Sequence, residues 1–354
     1  MLRKSRNTLV ITLALFLLIE IALQVRSHIR FGQSVFNALA NETTYQFNEQ
    51  LGIKLLRPNH TLAGSNAVIT TNALGLRDDD LESPKPENQY RIALVGASTV
   101  MGTYTRNNAD TLSYQLQDIL NNSLDKTSRP MRVINAGIAG YSLQDQRKIV
   151  DNLLSKLDVD RYILYTGFND LGGYCKPSQS AAEKDDYSLP TLALPKWLLT
   201  TELITKNTVA LRTSLAKSQA LLNPQDVDKS KFSHNLEALL QSLKRTEKPV
   251  LVIGNAVAFR RDMPKEQQAS LSETARYYNG CFDTAGLLTL YDAHNDIIRA
   301  ASEENGLRFF NLQSELPGGE EWFGDSSHFS VKGNKRVAEI IAAKIASDLP
   351  NNKE

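Results

Sequence analysis

The stretch Arg91-Ile92-Ala93-Leu94-Val95-Gly96-Ala97-Ser98-Thr99-Val100-Met101-Gly102 decides the fold. Ile92 to Val95 form an apolar run without polar alternation, which predicts a strand covered on both faces, as in a parallel sheet. Gly96 ends the run. Ala97 and Ser98 then fall just beyond the strand's carboxyl end, the edge where open α/β sheets bind their ligands. A serine there is a candidate nucleophile, or else a helix cap or turn residue. The neighbouring motifs that share a strand and a glycine turn are excluded by their missing residues. There is no Gly-Lys-Ser/Thr ending of a phosphate loop and no G-x-G-x-x-G. Val100 stands where the nucleophile elbow G-x-S-x-G has its second glycine.

Outward from this stretch, short apolar runs alternate with helical patterns, which is the signature of a parallel α/β sheet. Strands are expected at Arg91–Val95, Arg132–Asn135, Arg161–Tyr165, Val250–Ile253 and Arg308–Asn311. Helices are expected at Asp110–Asn122, Ser142–Lys156, Ser233–Leu243, Leu287–Glu304 and Val331–Leu349, with Ser142 and Asp145 spaced as a capping box and Ser330 as a cap. The expected fold is therefore α/β, a three-layer α/β/α sheet of about five parallel strands over residues 90–350. Two connections, 171–232 and 255–286, are too long for turns and read as insertions at the ligand-binding edge. Trp197, Tyr277 and Tyr278 in them suit a substrate wall, or simply pack the insertions onto the body.

Before this domain the chain changes character. Arg3, Lys4 and Arg6 precede Leu9–Val25, apolar except for Thr12, Glu20 and Gln24, and close to the roughly 20 residues that a membrane helix needs. No small-x-small site follows within Ile21–Arg30, so residues 1–30 are expected to be a cytoplasmic tip and an uncleaved signal anchor, with the body extracytoplasmic, periplasmic or on the cell surface; the alternatives are a cleaved signal and, last, a buried soluble helix. Residues 31–89, rich in turn signals, read as a stalk and an irregular collar. Lys+Arg at 40 against Asp+Glu at 39 in 354 residues gives no field to recruit nucleic acid. Cys175 and Cys281 both fall in loops beyond strand ends, and are either paired or free.

Each carboxyl-end loop of the expected sheet carries a residue useful to acyl transfer. Ser98 follows the first strand, Gly137 the second and Asn169 the third, and Asp325-Ser326-Ser327-His328 precedes the last helix. An attacking serine needs a base, the base an orienting carboxylate, and the oxyanion preorganised donors. His328 takes the first role and Asp325 the second; His28, His60, His234 and His294 lie beside the membrane, in the collar or on helices. The oxyanion donors expected are the backbone N–H groups of Ser98 and Gly137 and the amide of Asn169. The bland alternatives are a surface histidine, a turn at Asn169-Asp170 and a strand-end glycine at Gly137.

In these blocks the sequence resembles the SGNH, or GDSL-type, hydrolase family. Gly96-Ala97-Ser98, Gly137, Gly167-Phe168-Asn169-Asp170 and Asp325-Ser326-Ser327-His328 match its four blocks in order, over roughly Tyr90 to Leu349. The resemblance implies a flavodoxin-like three-layer fold, no metal or organic cofactor, and a serine esterase. Its substrates would be acetyl or other short acyl esters of a carbohydrate or related small molecule. The alternatives are an O-acyltransferase with the same triad, or a non-catalytic glycan-binding scaffold of an envelope polysaccharide pathway. One departure is Ala97, where the family's usual motif has aspartate; it puts the bracing of the nucleophile loop in question. The Asn72–Arg77 motif also resembles a preface found in membrane-anchored relatives.

Overall fold

Five parallel strands, in the order Met131–Gly137, Tyr90–Gly96, Arg161–Tyr165, Val250–Gly254 and Arg308–Asn311, form the centre of the computed structural model, which describes residues 2–31, 44–63, 68–123, 129–175, 198–200 and 221–348. In chain order the strands are β1 (Tyr45–Asn48), β2 (Ile53–Leu56), β3 (Thr61–Ala63), β4 (Val68–Thr70), β5 (Tyr90–Gly96), β6 (Met131–Gly137), β7 (Arg161–Tyr165), β8 (Val250–Gly254) and β9 (Arg308–Asn311). The helices are α1 (Leu2–Phe31), α2 (Ser98–Met101), α3 (Leu112–Ser123), α4 (Leu143–Asn152), α5 (Ser230–Lys244), α6 (Lys265–Leu271), α7 (Glu273–Tyr278), α8 (Thr284–Glu304), α9 (Leu312–Glu315) and α10 (Val331–Ile345). The five expected strands are all present, each within two residues of its expected start.

Every residue of β5 is buried, as its unbroken apolar run requires. Side chains alternate across a strand, so Ile92 and Leu94 face one core with Leu116 and Leu120 of α3 and Val337 and Ile341 of α10. Ala93 and Val95 face the other, with Ile149 of α4 and Leu236 and Leu240 of α5. These two cores make the three layers. The register pairs Gly96 of β5 with Gly137 of β6, so the two strands end level and leave a ledge at their carboxyl edge.

The expected helices start within three residues of where they were placed, and two of them end earlier than expected. α4 stops at Asn152 and gives way to a 3-10 turn, Leu154–Lys156. α10 stops at Ile345 before another, Ala346–Asp348. Both N-terminal signals are realised: Ser142 and Asp145 form the capping box, and the Ser330 hydroxyl accepts the Gly333 N–H. Insertion 255–286 carries α6 and α7, whereas Trp197 and most of insertion 171–232 lie outside the described residues.

The collar is more ordered than its turn-rich sequence suggests. β1 and β2 pair antiparallel, and β3 pairs with β4. Ile53, Leu55, Leu56 and Leu76 are buried in the same core as α4 and α5. The turn residues had signalled loops, but the apolar residues between them find a face of the sheet domain to cover.

The chain divides into two compact units: Met1–Thr44 with Thr61–Ile69 and Pro177–Gln219, and all the rest. In the first, α1 holds the one helix among the described residues long and apolar enough to cross a membrane, over Arg6–Ile29. Its single acidic residue, Glu20, is buried and accepts hydrogen bonds from Leu199 N, Thr200 N and the Thr200 hydroxyl.

Candidate active site

The ledge left by β5 and β6 is occupied by α2, a single helical turn whose first residue is Ser98. It can sit there because both strands end in glycine. A methyl group on Gly96 would collide with Val100 and meet the Tyr165 carbonyl at 2.7 Å; one on Gly137 would collide with the Met101 N and meet the Val100 carbonyl carbon at 2.7 Å. The two glycines thus let the turn drop onto the sheet edge and fix the height of Ser98.

The loop before α10 delivers the other two groups. His328 Nε2 lies 2.8 Å from Ser98 Oγ. Its Nδ1 lies 2.8 and 2.9 Å from the two Asp325 oxygens. Asp325 also accepts the backbone N–H groups of Ser327 and His328, each at 2.9 Å, so one carboxylate both folds the loop and orients the imidazole. Between them, Ser326 is pinned to insertion 255–286: its carbonyl accepts Ala258 N (2.9 Å) and its hydroxyl accepts Ala275 N (3.0 Å). Tyr104, 46% exposed, lies with its ring centroid 5.6 Å from that of His328.

Electrostatics agree with this geometry. Burial pulls the Asp325 carboxyl upward, but the hydrogen bond and charge of His328 and the two backbone N–H groups outweigh it and hold it below the ordinary value. It is therefore ionised at neutral pH, as an orienting carboxylate must be. His294, by contrast, is pushed down to about 3 by burial and by the charge of Lys229. It lies within hydrogen-bond distance of the Tyr174 hydroxyl, 2.9 Å away, and is neutral.

Asn169 begins a 3-10 turn, Asn169–Gly173, beyond β7. It is exposed, and its Nδ2 donates to the Tyr141 carbonyl at 2.8 Å. That amide has a second N–H left for another acceptor. Asp170 beside it accepts Leu143 N at 3.2 Å, so this pair grips the segment that follows β6.

The expectation for Gly137 is not met. Its N–H donates to the Asn135 side-chain oxygen at 3.1 Å, and the residue is buried beneath α2. The backbone turns upward three residues later. Tyr141 N bonds to the Ile138 carbonyl (3.2 Å), and Gly140, the third residue of that turn, has φ +83° and is exposed. Such a turn demands glycine at this position. The Gly140 N–H has no acceptor among the described residues, and it adjoins Tyr141, which Asn169 grips. Sequence reasoning passed over Gly140, although a glycine two residues before the Ser142 cap is itself a turn signal.

Cys175 and Cys281 are joined as a disulfide with Cα atoms 5.4 Å apart. It ties the end of the Asn169 turn to the connection between α7 and α8. Among the described residues no group of three or more His, Cys, Asp or Glu side chains is placed to hold a metal ion.

A parallel three-layer sheet with these four blocks at its carboxyl edge defines the class of SGNH hydrolases. The chain belongs to the GDSL-like Lipase/Acylhydrolase family, whose pattern it matches over residues 94–336, and it is an ester-bond hydrolase. Similar solved structures include the lipase/acylhydrolase from Enterococcus faecalis, with 18% identity over 75% of this chain and 100% of that one at a TM-score of 0.46. A carbohydrate acetylesterase from Sinorhizobium meliloti shares 12% identity over 73% and 100% of the two chains at a TM-score of 0.44. The aryl esterase of M. smegmatis shares 13% over 73% and 100% at 0.45. No curated protein matches the chain.

Proposed function

We propose that the protein is a membrane-anchored serine esterase that removes acetyl or other short acyl groups from a carbohydrate or related extracytoplasmic substrate. The hydrogen-bonded line from Ser98 Oγ through His328 to Asp325, with both links at 2.8 Å, carries this reading. In it, Ser98 Oγ attacks the ester carbonyl carbon while its proton passes to His328 Nε2. The alcohol leaves with that proton, and the acyl group stays on Ser98. His328 then takes a proton from water, which attacks the acyl-enzyme, and Ser98 recovers its proton as the acid departs.

The developing oxyanion is assigned to three donors: the Ser98 N–H at the free start of α2, the Gly140 N–H and Asn169 Nδ2. Helix N-termini and preorganised amides suit negative charge. The substrate class is supported by the family resemblance and by the exposed Tyr104 ring beside His328, an amphipathic surface suited to a sugar. The anchor reading is supported by α1 with Arg3, Lys4 and Arg6 at its start. A disulfide, which persists in oxidising compartments, supports export of the catalytic unit.

The test is hydrolysis of an aryl acetate and of an acetylated oligosaccharide by the full chain in detergent. Ser98→Ala is expected to reduce turnover of both by at least about 10³-fold at unchanged folding, judged by circular dichroism. Near-normal turnover by Ser98→Ala defeats the mechanism.

A further inference from the structure

The Ser98 turn lacks the brace that its N-terminal side usually provides, because Ala97, its cap residue, makes no side-chain hydrogen bond. A helix of four residues has little stability of its own, since nucleation costs more than one turn returns. Something else must hold Ser98 at its place.

The support comes from the other end. Arg77 in the Asn72–Asp80 loop is fully buried. Its Nη1 donates to the carbonyls of Gly102 (2.6 Å) and Met101 (3.3 Å), its Nη2 to Asn107 (3.0 Å) and its Nε to Asn108 Oδ1 (3.1 Å). These carbonyls sit at the C-terminal end of the turn, where acceptors lack helical partners and a cation is favoured by the dipole. The connection onward is direct. The Ser98 carbonyl accepts Gly102 N (3.1 Å), Thr103 N (3.2 Å) and the Thr103 hydroxyl (3.0 Å). Two peptide units, Met101–Gly102 and Gly102–Thr103, therefore link the guanidinium to the backbone of the nucleophile, each accepting from Arg77 and donating to the Ser98 carbonyl.

The loop presenting Arg77 is itself fixed. Asn72 Oδ1 accepts the N–H groups of Leu74 and Leu76, and its Nδ2 donates to the Asp79 carbonyl. Asp78, the next residue, pairs with Arg132 (2.7 Å) and accepts Asn135 N (3.0 Å). Burial lowers the Arg77 guanidinium to about 10, so it remains charged at neutral pH.

We propose that Arg77 is a positioning residue, which holds Ser98 at attack height by clamping the Met101 and Gly102 carbonyls from the collar loop. This rests on the serine-esterase reading above. In Arg77→Lys the charge remains but the fork that reaches four acceptors is lost. A displacement of about 1 Å at a reacting group costs up to about 100-fold.

The test uses the full chain in detergent, with active sites counted by a serine-directed phosphonate and aryl acetate as substrate. Arg77→Lys is expected to lower kcat per labelled site by about 10–100-fold with KM within about twofold, and to slow phosphonylation of Ser98 in parallel. A residue that only stabilised the fold would lower the melting temperature and leave kcat per labelled site intact, and that result overturns the proposal. If Arg77→Lys does not fold, Asn108→Ser decides: it frees Arg77 Nε and is expected to give a smaller fall in kcat at the same KM, an undiminished kcat again overturning the proposal. A wild type that neither hydrolyses nor labels at Ser98 overturns the esterase reading and this proposal with it. Labelled, active wild type with full turnover in the variant overturns this proposal alone.

Discussion

One carboxyl, that of Asp170 beside Asn169, sets a pH dependence of stability. Burial pushes Asp170 up from 3.8 to about 6, against the opposing Leu143 N–H bond. The folded state thus holds this proton more tightly than the unfolded chain does. The stability so contributed is full below about pH 4 and is lost as pH rises through about 6. Asp170→Asn never ionises, and its amide oxygen can still accept Leu143 N–H. Urea denaturation is expected to show the variant gaining about 1–3 kcal/mol on wild type at pH 8 relative to pH 4, and an identical difference at both values contradicts the assignment. Among individual residues, the meeting of Ser98 with His328 and Asp325 was legible because the first follows a strand end at the ligand edge and the other two share the loop before the last helix. Gly140 was not, since the direction of an N–H depends on the turn that carries it. Arg77 was not, because its acceptors are mostly backbone carbonyls, which leave no mark in a sequence; the only trace is a lone arginine closing the turn motif Asn72–Arg77.

At the scale of elements, β5 and its neighbours were readable because a strand buried on both faces has no polar alternation to confuse it. Helix starts were readable through Ser142 and Ser330, while the ends of α4 and α10 gave way to 3-10 turns that no residue type announced. The collar illustrates why turn-rich composition misleads. Turn residues report where the chain bends, and the few apolar residues between them decide what it covers. Leu76, fully buried beside Arg77, belongs to the core shared with α4 and α5. Leu76→Ala is therefore expected to destabilise the protein by about 2–5 kcal/mol, measured by urea denaturation. A cost under about 0.5 kcal/mol, typical of a surface site, contradicts a core role for the collar.

Over the whole molecule, the disulfide closes a connection of 106 residues between the Asn169 turn and the segment before α8. Removing it by Cys175→Ser with Cys281→Ser is expected to lower stability by about 2–5 kcal/mol, read as a fall in melting temperature under non-reducing conditions; an unchanged melting temperature contradicts that role. The architecture was open to sequence reasoning since alternating strands and helices admit few sheets, but the pairing of two loop cysteines depends on Cα separation and was not. The collar loop and the sheet edge bear on one role, that Ser98 carries the acyl group during turnover. Rapid quenching of the full chain during aryl acetate hydrolysis, followed by peptide mass spectrometry, tests it most directly. The expected result is an acetyl group on the peptide containing Ser98, which forms and decays at the turnover rate and is absent from Ser98→Ala. Undiminished turnover with Ser98 never acylated contradicts the claim.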